Sequence, residues 1–225
     1  MKIKSIEELE DKLGEDLSWR KKEILSLKML IESDVVNKKI LLRASIALLC
    51  AHFEGFVKTA SNYYVIYIGN KKIKSSEINN NLVAMKMCKK IKRCGETEKS
   101  SVHGELLNFF EKTRDEKFFI KYNPDNPIIS TNSNPSSTVL EEILKSLGVE
   151  SDIFETKKKY IDYSLLQNRH KVVHGERFDL DYDDFISTNN IVLEVLDSYR
   201  DLIIESAESE LYLKENVNGG TEKCT

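Results

Sequence analysis

Residues 40–57 read "ILLRASIALLCAHFEGFV". An apolar stretch of this length is either a membrane span or a helix buried inside a bundle. Arg43, His52 and Glu54 interrupt it, and ionisable groups are expensive in hydrocarbon. The bundle reading is preferred: a helix apolar nearly all round, sitting at the centre of an all-α fold.

The flanks extend that helix and add others. Ser5 followed by Glu8 is a capping box, and Ile6, Leu9, Leu13, Leu17, Ile24, Leu27 and Ile31 recur at helical spacing. This predicts a first helix over about 6–33, weakened at Gly14. Asp34 can cap the central helix, which runs to about Ile68 with Gly69 as its stop. At about 1.5 Å per residue it spans on the order of 50 Å. Beyond it, Ile78, Leu82, Met85 and Ile91 predict a short helix with a basic flank, and a further one fits 101–117. Residues 122–137 hold all three prolines and read as a loop. Thr138 with Glu141 caps a helix stopped by Gly148. A helix over 153–173 comes next, with Ile161, Leu165, Leu166, Val172 and Val173 inward. A long one over 184–213 is capped by Asp181 or Asp183. The expected architecture is an up-and-down helical bundle. One domain covers 1–213, with its core at about 35–205 and a loop-rich insertion at about 70–137; the tail 214–225 is expected to be disordered.

Composition sets bounds on function. The chain has 225 residues, 40% hydrophobic and 32% charged, with a formal charge of −3. It is no polycation, so any nucleic-acid binding must come from a local patch. The polar N-terminus is not a signal peptide. None of the four cysteines forms a C-x-x-C pair, so no metal centre, cofactor or disulfide framework is expected, and a reducing cytoplasm is the simplest location.

The chemistry is concentrated at "QNRHKVVHGE", 167–176. Arg169 is permanently charged and grips phosphate oxygens in a fork, while His174 exchanges a proton near neutral pH. RNA cleavage by its own 2′-hydroxyl needs little more. A base removes the hydroxyl proton, the oxygen attacks phosphorus, and a cation stabilises the added charge. Five residues along a regular helix amount to about 500°, which puts the two side chains roughly 140° apart. Only a helix ending at His174 frees them to act together, and Gly175 supplies the reason to end there. With seven arginines and four histidines in the chain, such a spacing arises readily by chance. The competing reading is a solvated helix end with a capping histidine.

The surroundings extend the pattern. "NRHKVVHG" resembles the R-x(4–6)-H signature of the HEPN superfamily (higher eukaryotes and prokaryotes nucleotide-binding). The stretches 41–58, 130–148 and 181–203 resemble a bacterial branch found in defence and toxin–antitoxin contexts. The resemblance spans about 35–205. It implies a helical bundle that dimerises and joins two motifs in one cleft, and a metal-independent endoribonuclease leaving a 2′,3′-cyclic phosphate. Arg169 and His174 occupy the catalytic positions. Where the family most often has asparagine after the arginine, this chain has His170, which either assists proton transfer or only hydrogen-bonds.

Position on the helices singles out supporting residues. Arg43 and Glu54 return to one face of the central helix, within about 20° of each other. They either form a structural ion-pair network or serve the motif, with Glu54 orienting Arg169 or His174. The basic groups at 86–93 and 157–171 could steer RNA; near the motif the candidates are Lys157, Lys158, Lys171 and Arg177. The resulting expectation is a cytoplasmic, homodimeric ribonuclease acting as a defence effector or toxin, with RNA as partner, a separately encoded antitoxin as a candidate regulator, and no membrane. The alternative is a HEPN module that binds RNA, nucleotide or a partner without cutting.

Overall fold

The computed structural model describes residues 1–125, 127–131, 135–151 and 154–214. Among the described residues seven α-helices carry the fold: α1 (Ile6–Ser33), α2 (Lys38–Asn70), α3 (Asn80–Gly95), α4 (Ser100–Asp115), α5 (Ser137–Leu147), α6 (Asn168–Val173) and α7 (Tyr182–Glu208). No strand occurs among the described residues, only two isolated bridges, Lys74 with Lys117 and Ile78 with Leu213. The all-α class is as expected.

Local chemistry sets the boundaries. Ser5 Oγ accepts from the Glu8 amide at 3.2 Å, and the Glu8 carboxylate reaches back to the Lys4 amide. α1 then runs unbroken through Gly14. Asp34 sits in the connecting turn, where it binds the amide and side chain of Asn37. α2 does not stop at Gly69: that glycine is buried within the helix, and the chain turns at Lys72 with φ +60°. Ser136, not Thr138, caps α5, while Gly148 ends it with φ +74°. Asp181 caps α7 through the Asp184 amide at 2.8 Å. The expected tail begins at Lys214, the last described residue; 215–225 lie outside the described residues.

α2 is the spine. By length and apolarity it could cross a bilayer, yet 18 of its 33 residues are buried in the bundle. α1 and α7 pack along it. Tyr64, Tyr67, Tyr199 and Tyr212 are fully buried, and Tyr199 satisfies its hydroxyl on Ser61 at 2.6 Å, as buried polar groups must. α1 docks through a charge: Arg20 is buried, paired with Asp16 at 2.7 Å and stacked on Trp19. Gly55 leaves room for it, since a Cβ there would stand 2.5 Å from the guanidinium. Next to it His52 is interior, 3.0 Å from Glu23 and edge-on to Trp19.

The expected single helix over 153–173 is three pieces: a 3₁₀ turn at Glu155–Lys157, a π-helix at Tyr160–Gln167, and α6; residues 152 and 153 are outside the described set. A π turn holds an extra residue and shifts the phase of the downstream residues by about 100°. Ile161, Leu165 and Leu166 are buried as predicted, but Val172 is half-buried and Val173 is 61% exposed.

Candidate functional site

α6 is short and ends by a defined device. The Glu176 amide bonds the Lys171 carbonyl at 2.9 Å and the Gly175 amide the Val172 carbonyl at 3.2 Å, with Gly175 at φ +71°. This is a Schellman motif, which only a residue tolerant of the left-handed region closes cheaply. His174 becomes the cap residue, with φ −85° and ψ 3°. It is exposed, and its ring stacks on the exposed His170, centroids 6.1 Å apart and planes 14° off parallel.

Arg169, one residue before His170, is half-buried and turned toward α2. Its charge acts on Cys50, whose thiol burial nevertheless pushes up to about 11, with the Glu54 carboxylate pushing the same way. Arg169, Cys50 and Glu54 therefore form one neighbourhood between α6 and the middle of α2. Glu54 itself accepts a hydrogen bond from the buried Thr131, in the proline-rich segment that Asn62 also pins through the Ile128 amide at 2.9 Å.

Arg43 holds the other end of the motif. Its Nη2 donates to the Glu176 carbonyl at 2.8 Å. Glu176 comes directly after Gly175, so α2 fixes where the chain goes after His174. The guanidinium also lies over Phe178, 5.7 Å from the ring centroid, and Lys171 lies over the same ring at 5.5 Å. Arg43 and Glu54 share a face but are not an ion pair, so the expected network between them is absent among the described residues. Each is committed to a different segment instead.

The structure separates the four basic candidates. Lys157 pairs with Glu194 at 2.6 Å. Lys158 is clamped by Glu141 and Glu155, both at 2.6 Å, and these carboxylates hold its ammonium well above the ordinary lysine range. Both bind the motif segment to α7 and α5, and their charge is locally neutralised. Lys171 is occupied with Phe178 and Asn168. Arg177 is exposed beyond the motif.

Some positioning residues escape sequence reading. Asp162, in the first turn of the π-helix, accepts from the Ser137 amide at 2.8 Å and hydroxyl at 2.6 Å. It thus anchors the start of α5, where a carboxylate also suits the helix dipole. Asn62 and Phe178 fix the two loops that border the motif. Phe178 carries a visible signal, a lone aromatic just past the helix stop; Asp162 carries none, because its partner lies 25 residues away.

A family model described as RiboL-PSP-HEPN matches residues 15–205. No curated protein matches the chain, and no solved structure matches it either.

Proposed function

The chain belongs to the RiboL-PSP-HEPN family, a member of the HEPN superfamily, and on that premise we propose that it is a metal-independent endoribonuclease. HEPN domains are commonly RNases or act on nucleotides. The observation that carries the finer reading is the construction of the helix end. His174 is held exposed at the cap by a Schellman turn that Arg43 pins from α2, while Arg169 leans back toward Cys50 and Glu54.

In this reading Arg169 binds the scissile phosphate and stabilises the charge that develops on it. His174 takes the 2′-hydroxyl proton and returns one to the leaving 5′-oxygen, giving a 2′,3′-cyclic phosphate and a 5′-hydroxyl. His170, stacked on His174, restrains that ring. Arg43 and Glu54 are positioning residues, acting through the loops they hold. Of the basic candidates, we assign direct RNA contact to the exposed Arg177.

Arg169 and His174 lean to different sides of α6, and a second motif facing the first supplies the missing half of each site. α2 supports such a homodimer. Ile40 is 68% exposed, Ala44 and Ala51 are exposed at the same helical spacing, and Val173 adds apolar surface beside the motif. We place the protein in the cytoplasm as a defence or toxin–antitoxin effector, restrained by a separately encoded antitoxin.

The test is metal dependence. Arginine and histidine supply both the charge and the proton transfer, so cleavage of RNA should proceed at an undiminished rate in EDTA and leave a cyclic phosphate. Activity abolished by EDTA and restored by magnesium would contradict the mechanism, and no cleavage under either condition would leave the family's binding role.

A further inference from the structure

Charge is segregated along the chain. Residues 71–121 contain 13 Lys and Arg against 7 Asp and Glu, a balance of +6. The remaining 174 residues contain 21 against 30. The basic segment folds as the α3–α4 hairpin and its flanks, and α4 buries a single residue, Thr113. α3 is anchored by Leu82, Val83 and Met87, so α4 is the outer, solvent-facing layer of the hairpin.

Much of its charge falls on one face. Arg93 reaches Glu105 across the hairpin at 3.4 Å, and Lys86 approaches Glu116 at 3.7 Å. Lys86 and Arg93, seven residues apart, share one side of α3, and Glu105 marks the side of α4 that meets it; Glu116 follows the end of α4. Lys89 stands four residues before Arg93 and Lys112 seven after Glu105, so both return to that side. Lys92 borders it. Lys89, Lys92 and Lys112 are exposed and make no ion pair among the described residues, unlike Lys157 and Lys158 beside the motif.

We infer that this face of the α3–α4 hairpin binds the phosphate backbone of RNA, as an arm separate from the helix that carries the cleaving motif. α6 meets α2 near Arg43 and Cys50, whereas the hairpin is rooted beyond Asn70 at the other end of α2 and packs on α5. A long RNA can touch both places and a dinucleotide cannot. The choice of RNA as the polyanion rests on the ribonuclease reading; the presence of a binding face does not.

The test is the triple variant Lys89→Ala, Lys92→Ala, Lys112→Ala in the full chain. Binding is measured with a fluorescent 20-nucleotide RNA in a His174→Ala background across a salt series. Three lost phosphate contacts should weaken binding on the order of tenfold and flatten the slope of log affinity against log salt by about 2. With His174 intact, cleavage of a dinucleotide should match the parent, as should melting temperature, while cleavage of the long RNA at sub-saturating concentration slows by the same factor. Unchanged affinity and slope overturn the inference. So does a loss confined to phosphatidylserine vesicles with RNA binding intact, which would make the face a membrane surface. Should neither substrate be cut by any variant, the ribonuclease reading fails while the binding series still decides the arm.

Discussion

Arg169→Ala should slow RNA cleavage by roughly 10²–10³-fold, corresponding to about 3–4 kcal/mol of lost transition-state stabilisation. The effect is large because the guanidinium acts twice. It holds the phosphate in the ground state and gains strength as the phosphorane charge develops. Arg169→Lys should recover little, because an ammonium keeps the charge but cannot form the planar two-point contact. Arg169 is half-buried, so its truncation also removes packing against α2, and a fall in stability of about 1 kcal/mol is expected alongside. Single-turnover cleavage at saturating RNA, compared with melting temperature, separates the two. A variant that retains the parent rate would remove Arg169 from the chemistry.

Gly148→Ala should produce the largest loss of stability of any alanine substitution at the described glycines. Gly148 ends α5 with φ +74°, where a Cβ costs about 1–2 kcal/mol. The added carbon would also stand 1.7 Å from Asn79 Nδ2. Asn79 cannot simply give way. Its Oδ1 caps α3 through the Leu82 amide at 3.0 Å, its Nδ2 donates to the Leu211 carbonyl at 3.5 Å, and its backbone amide binds the Tyr212 carbonyl at 2.9 Å. Displacing it therefore loosens α3 and the segment after α7 together, for a total of about 3–5 kcal/mol. For a domain of this size that is roughly 6–20 °C in melting temperature. Gly175→Ala is the internal control. Its φ is +71°, yet no atom lies within 4 Å of the new Cβ, so only the strain of about 1–2 kcal/mol applies. Equal losses at the two positions would mean that the contact with Asn79 does not matter.

Those two glycines also show which features are legible in the sequence. Gly148 and Gly175 read as helix stops, Ser5 and Asp181 as helix starts, and "ILLRASIALLCAHFEGFV" as the spine, because each of these signals is local. The motif's helix end is legible for the same reason. Sequence reading fails where a distant partner decides. Gly69 reads as a stop, but burial against the rest of the bundle carries α2 past it. Val172 and Val173 read as core when the α period is extended through Tyr160–Gln167, and nothing in those eight residues announces a π-helix. Lys157 and Lys158 read as free cations, since Glu194 and Glu141 lie 37 and 17 residues away in sequence. Arg43 and Glu54 stand out as charges needing partners. Those partners, the Glu176 carbonyl and Thr131, come from loops and cannot be matched by periodicity.

His174 sits at the cap of α6, and its imidazole is there for proton transfer, not for holding the helix end. His174→Ala decides it directly. The backbone keeps the cap, since the Schellman bonds run through Lys171, Val172, Gly175 and Glu176, so stability should change by less than about 0.5 kcal/mol. A neutral imidazole adds little to phosphate binding, so RNA affinity should hold. The cleavage rate alone should fall, by on the order of 10²–10⁴-fold, and His170→Ala should fall by much less. A His174→Ala protein that cuts RNA at the parent rate, or that loses activity only in step with its melting temperature, would contradict the account and leave "QNRHKVVHGE" as a helix end.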